Sequence, residues 1–199
     1  MAKPAALALL LVLGSAPALA AQSEYYVRLG ATGASTLLRD EIVSPITTRQ
    51  SIAPTLVVGA SVALAPRYGV GLEAALASGG YHATERGVET GLGTLRTASV
   101  LLNLSAPLVG PLRWRAGLGT ISYLPADKRG IFLSGGRTTW LAGAGLDYRR
   151  PLLRRLDLLA SARYDFHRFT TDELRARGFA QSQQISRVSL TVGLAGGNR

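Results

Sequence analysis

The sequence predicts an all-β protein: an eight-stranded antiparallel up-and-down transmembrane β-barrel with short periplasmic turns and longer extracellular loops. Three observations predict it. The chain opens with an export signal. Behind the signal lie eight strand-like segments of about ten residues whose connections alternate long and short. Within those segments, apolar residues alternate with small, polar or charged ones, and no run approaches the roughly 18 apolar residues of a membrane helix.

The opening residues, MAKPAALALLLVLGSAPALA, carry Lys3, an apolar run from Ala5 to Leu13 and the small residues Ala18-Leu19-Ala20. That order of charge, short apolar stretch and small-residue cleavage site is a secretory signal peptide over residues 1–20. The alternative is an uncleaved membrane anchor, for which the apolar run is short. Residues 21–199 then form one barrel domain. The whole chain has 22 basic against 12 acidic side chains, a net charge of +10. For an exported protein such an excess points to anionic lipid head groups or lipopolysaccharide phosphates as counter-charges rather than nucleic acid. With no cysteine, neither disulfides nor thiolate metal sites are available, so burial and hydrogen bonding must close the fold.

The elements follow in order. YYVRLGATGA from Tyr25 is the first strand, and a polar stretch from Ser35 to about Arg49, containing Pro45, is a long loop. Thr55–Leu64 and Val70–Gly80 are the second and third strands, joined by the tight APRYG. A loop from Tyr81 to about Gly93 leads to Leu95–Ser105, then a short APLVGP turn, then Leu112–Tyr123. A loop to about Arg137 precedes Thr138–Tyr148, and the basic RRPLLRR turn precedes Leu158–Phe169. The last loop, Thr170 to about Gln183, precedes Ile185–Leu194. Gly, 23 residues in all, is poor in helices and common where strands bend or pack closely.

Successive side chains of a strand point to opposite faces, so parity assigns each residue a medium. Leu56, Val58, Ala60, Val62 and Leu64 share one face of the second strand, and Val188, Leu190, Val192 and Leu194 share one face of the last. The opposite face is small or polar and holds Arg28, Glu73, Arg113, Arg115, Asp147, Arg163, Asp165 and Arg187. A soluble ligand-binding barrel would turn the apolar face inward. Here the Gly, Ala and Ser of the polar face suit a narrow lumen, which eight strands leave only wide enough for side chains to fill. The reading is therefore inverted: apolar to lipid, charged and small to the interior. Aromatics support it. Trp140 and Tyr148 lie on the apolar face at opposite ends of one strand, about 26 Å apart at the usual rise. With Trp114, Tyr164 and Phe166 they form two candidate aromatic girdles.

In LLASARYDFHRF, Leu158 to Phe169, the residues Arg163, Asp165 and His167 occupy every second position. They share the inward parity, where an unpaired charge is costly, so Glu73, Asp147 and Asp165 are expected to be held by interior arginines as a salt-bridge plug. His167 is placed near the loop end, with its imidazole in reach of water. His82 sits near Glu85 and Glu89, a combination more typical of a solvated loop than of a metal site. No phosphate loop or zinc signature occurs.

The signal peptide, WRAGLGTISY, WLAGAGLDYR, SARYDF and the final VSLTVGL together resemble the small Gram-negative outer-membrane barrels, the OmpA/OmpX-like group. The resemblance implies a monomeric, bacterial outer-membrane protein in contact with lipid and lipopolysaccharide, with a possible surface ligand at its loops. Such proteins usually end their last strand on an aromatic, whereas this chain continues AGGNR. Because the group includes structural, adhesive and enzymatic members, function does not follow from the scaffold. A deacylase-like, lipid A-modifying member would place a Ser two residues from its His along one strand. Phe169 stands there instead. The expected role is non-enzymatic, structural or surface-interacting, without a cofactor; a lipid-modifying enzyme and a soluble ligand-binding barrel are the alternatives.

Overall fold

A computed structural model describes residues 23–40, 46–65, 67–176, 178 and 182–197. The signal peptide assigned to residues 1–20 and the turn former Pro45 lie outside them. Ten strands are present among the described residues: β1 (Ser23–Ala34), β2 (Leu38–Asp40), β3 (Ile46–Gln50), β4 (Ala53–Ala65), β5 (Tyr68–Glu85), β6 (Val88–Val109), β7 (Leu112–Pro125), β8 (Arg137–Leu153), β9 (Leu156–Phe169) and β10 (Gln183–Gly197). Eight of them close a ring in the order β5-β4-β1-β10-β9-β8-β7-β6, with β6 returning to β5. Every neighbouring pair is antiparallel, and the two chain ends meet in the β1–β10 ladder, where Val27 lies opposite Leu194. No long edge is left unpaired in the wall.

β2 and β3 stand outside the ring. β4 leaves β5 after the Thr55–Ala77 pair, and β3 takes over that edge from Gln50–Tyr81 to Ile46–Glu85. The segment 81–93, expected to be a loop, is instead a continuation of the β5–β6 ladder as far as Glu85–Val88. The reason is local. Arg86 and Gly87 both take positive φ, 49° and 83°, which is the two-residue turn that matches strand twist, and β-branched Thr84, Val88 and Thr90 favour the extended arms. The third and fourth long loops carry a 3-10 turn (Gly130–Phe132) and a short helix α1 (Asp172–Ala176). At the other end the turns are tight: Gly110, φ 54°, with Pro111, and Arg154 with Arg155, join long strands.

Parity follows the alternation read from the sequence. Leu102, Leu118 and Leu190 project from the wall with more than 60 % of their surface exposed, while Ser99, Asn103, Ser189 and Thr191 are buried inside. The inner face differs from expectation in its loop-side half. There Leu95, Leu101, Ile121, Leu141, Phe169 and Ile185 point inward and are fully buried, packed with Tyr81, Tyr123, Phe132 and Leu174. Tyr123 lies 4.8 Å from Phe169 and 5.9 Å from Phe132, centroid to centroid. The loops explain the difference. Phe132 from the 3-10 turn and Leu174 from α1 cover that end of the lumen, so it holds an ordinary apolar core rather than a wet channel. The cover is clasped by Glu173, which accepts hydrogen bonds from the Ser134 amide and, at 2.6 Å, from its hydroxyl. Slight burial acts to raise the Glu173 carboxyl, but these Ser134 bonds prevail and hold it below the usual carboxylate range.

Candidate functional site: the charged lumen

Below the apolar cap the lumen turns polar over a few residues of each strand, because the inward positions there are Arg28, Glu73, Arg115, Asp147, Arg163, Asp165 and Arg187. Glu73, on β5, is completely buried. β9 lies directly across the ring from β5, whereas β1 and β7 each stand two strands away on either side. Arginines from all three converge on it: Arg28 from β1, Arg115 from β7 and Arg163 from β9. Tyr26 adds a fourth donor, its hydroxyl 2.9 Å from Oε2. The guanidinium of Arg28 lies 4.8 Å from the Tyr26 ring centroid. Three guanidiniums can converge on one carboxylate only if the remaining charge is shared, and Asp147 shares it, its Oδ1 3.4 Å from Arg28 and 3.3 Å from Arg115. Asp165 receives the other fork of Arg163 at 2.8 and 3.0 Å.

Small residues make the space. Gly145 pairs with Arg115 on one side and Arg163 on the other, so two long cations cross the lumen past a residue with no side chain. A Cβ at Gly59 would overlap the Tyr26 ring, and one at Gly143 would overlap the Asp165 carboxylate. The glycines of the inner face therefore set where the charged groups can sit.

Of the eight charged residues singled out from the sequence, six form this connected set: Arg28, Glu73, Arg115, Asp147, Arg163 and Asp165. Arg187 is buried nearby and donates to the Thr97 hydroxyl at 2.9 Å rather than to a carboxylate within salt-bridge distance among the described residues. Arg113 is half-buried, lies nearer the tight-turn end and makes no ion pair with a described carboxylate. Tyr26 and the Arg149–Glu24 pair, with Arg149 also 3.7 Å from Asp157, were not singled out. Both share the inward parity, which would have found them.

His167 is placed differently from expectation. It is fully buried rather than in reach of water, and its Nε2 lies 2.6 Å from the Tyr123 hydroxyl beneath the apolar cap. The loop cover that shields it could not be inferred from strand parity. His82 is on β5 rather than in a loop, with Nδ1 3.2 Å from the exposed Glu89 carboxylate. No group of three or more metal-ligating side chains occurs among the described residues.

On the outer wall, Trp140 and Tyr164 stand about half exposed toward the loop end, with Phe166 5.8 Å from Trp140. Tyr148 and the partly covered Trp114 lie toward the tight-turn end. The Tyr164 hydroxyl shares a hydrogen with Ser186 at 2.6 Å.

No helix among the described residues is long and apolar enough to cross a membrane. No protein-family model matches the sequence, and no curated protein sequence matches it. Solved structures do match the fold. Neisserial surface protein A superposes with a TM-score of 0.56 at 10% identity, over 88% of this chain and 96% of its own. The attachment invasion locus protein Ail of Yersinia pestis, in complex with the heparin analogue sucrose octasulfate, gives 0.53 at 13% identity, over 87% and 99%. The outer membrane protein AlkL, determined in lipid bilayers by solid-state NMR, gives 0.53 at 10% identity, over 88% and 90%. With its closed antiparallel ring, apolar outer wall and charge-filled lumen, this chain has the fold of an eight-stranded up-and-down β-barrel, the fold it shares with these outer-membrane proteins.

Proposed function

We propose that the protein is a non-enzymatic, monomeric barrel of the bacterial outer membrane, exported by a cleaved signal peptide, with a structural or surface-interaction role exercised by its extracellular loop end. The single observation that carries this reading is the division of labour along the barrel axis. The lumen is filled by the Glu73-centred ion cluster and sealed above it by the Tyr81, Tyr123, Phe132 and Phe169 cap. A filled lumen leaves no route for solutes. The structured mass at the same end, namely the β2–β3 hairpin, the extended β5–β6 arm and α1, presents a built surface where loops carry recognition. The similar structures support the same direction: one is a neisserial surface protein and another an attachment invasion locus protein in complex with sucrose octasulfate. Outer-membrane lipid and lipopolysaccharide are the immediate surroundings, with the outward aromatics Trp114, Trp140, Tyr148, Tyr164 and Phe166 at the two interfaces.

An enzyme of the deacylase kind requires a histidine open to lipid on the outer wall. His167 is inside, bonded to Tyr123, and Phe169 takes the place of a serine. The test combines fractionation with lipid analysis. The protein is expected in the sarkosyl-resistant outer-membrane fraction, and lipid A from expressing cells is expected to keep all its acyl chains by mass spectrometry. Recovery from the soluble periplasm, or acyl loss that depends on His167, would overturn the reading.

A further inference from the structure

Beneath the Glu73 cluster the lumen opens toward the tight-turn end into a cavity of about 370 Å³, within the ~300–1,000 Å³ of small-molecule sites. Five arginines line it, Arg28, Arg67, Arg113, Arg115 and Arg149, against two carboxylates, Glu24 and Asp147. The carboxylates are already engaged: Asp147 with Arg28 and Arg115, and Glu24 with Arg149. Arg113 stands directly across the β7–β8 ladder from Asp147, yet Asp147 turns its Oδ1 to the two deeper arginines. That leaves the Arg113 guanidinium, half-buried on the cavity wall, with no carboxylate within salt-bridge distance among the described residues. Arg67 is exposed at the mouth. A guanidinium fork donates two parallel N–H bonds and matches the paired oxygens of a phosphate or carboxylate.

We propose that this periplasm-facing vestibule binds a phosphate-bearing small anion, with Arg113 as its principal fork and Arg67 at its entrance. A phosphate group, with up to two charges and several acceptor oxygens, matches more than one of these donors at once. The phosphate can be carried by a free solute or by a phospholipid head group at the barrel rim. The site is separate from the loop surface, on the opposite side of the ion cluster.

The test is calorimetric titration of the full-length protein, folded in zwitterionic detergent, with glycerol 3-phosphate. Saturable binding is expected, weakened at least tenfold by Arg113→Gln and severalfold by Arg67→Gln. Arg168→Gln, on an outward position at the far end, should bind as the parent does. Retention of the heat-modifiable gel shift reports that each variant is folded, and Arg67, in an exposed turn, keeps the test open if Arg113→Gln fails to fold. Repeating the titration in nanodiscs separates the sources. Binding retained beside phosphatidylglycerol assigns a free solute, and binding lost only when phosphatidylglycerol is present assigns the head group. Absence of saturable binding, equal affinity in the folded Arg113 and Arg67 variants, or an equal response to succinate would overturn the proposal.

Discussion

Glu73→Gln is the substitution to which the lumen should respond most strongly. The side chain is completely buried and joins β5 to β1, β7 and β9 through Arg28, Arg115 and Arg163. Glutamine keeps the size and one carbonyl acceptor but removes the charge, leaving three guanidiniums to be balanced by Asp147 and Asp165. Breaking a buried ion pair by removing one partner costs about 3–5 kcal/mol, because the remaining charge stays desolvated. Here three cations lose a shared partner, so the upper part of that range is expected. Trp114 and Trp140 both lie on the outer wall, so fluorescence during urea unfolding from lipid vesicles reports the transition. The midpoint should fall with little change in slope. A double variant, Glu73→Gln with Arg28→Met, should recover part of the loss, since it removes one of the stranded cations while Arg115 still holds Asp147 and Arg163 still holds Asp165. A Glu73→Gln protein within about 1 kcal/mol of the parent would refute the claim that the cluster holds the barrel together.

Asp165→Asn should cost less than Glu73→Gln, on the order of a few kcal/mol, because Arg163 retains Glu73 when Asp165 is neutral; the same unfolding assay ranks the two. His167→Ala should destabilise by roughly 1–3 kcal/mol, since it strands the buried Tyr123 hydroxyl and opens a cavity under the cap; unchanged stability would contradict its burial. Leu102→Arg or Leu190→Arg should cost roughly 2–4 kcal/mol in a bilayer if these positions lie near the midplane, read from the same midpoints. Acid should loosen the loop cover. Glu173 has its folded pKa below the unfolded value, so its contribution is present above the ordinary carboxylate range and disappears as pH falls through the lowered value. Proteolysis at the loop end should therefore rise below about pH 4, the unfolded carboxylate range, and Glu173→Gln should be susceptible at neutral pH.

The ring itself was legible in the sequence because period-2 alternation and alternating connection lengths are local signals. Val188 to Leu194 gives the outward face of β10, and the same parity places Arg28, Glu73, Arg115, Arg163 and Asp165 inside before any contact is known. Which arginine meets which carboxylate was not legible. That depends on β9 lying across the ring from β5 and on Gly145 leaving room between Arg115 and Arg163, both consequences of closure rather than of any one segment. The loop cover was hidden for a similar reason. Phe132 and Leu174 come from irregular stretches without periodicity, and only their docking explains why the inward positions 101, 121 and 141 are apolar and why His167 is dry. The β5–β6 extension was readable in part: Arg86-Gly87 is a turn signal, but the surrounding His82, Glu85 and Glu89 resemble loop composition.

That the apolar wall faces lipid and the charged face fills the lumen is directly measurable, because the chain has no cysteine of its own. Single cysteines at positions 99 to 104 of β6, each carrying a nitroxide and refolded into vesicles, report access to lipid-soluble oxygen and to a water-soluble nickel chelate. Positions 100, 102 and 104 should show high oxygen access and little nickel access, while 99, 101 and 103 should be shielded from both, repeating with period two. Nickel access at 100, 102 and 104 equal to that of an exposed loop site would mean that the apolar face meets water, and would contradict the account.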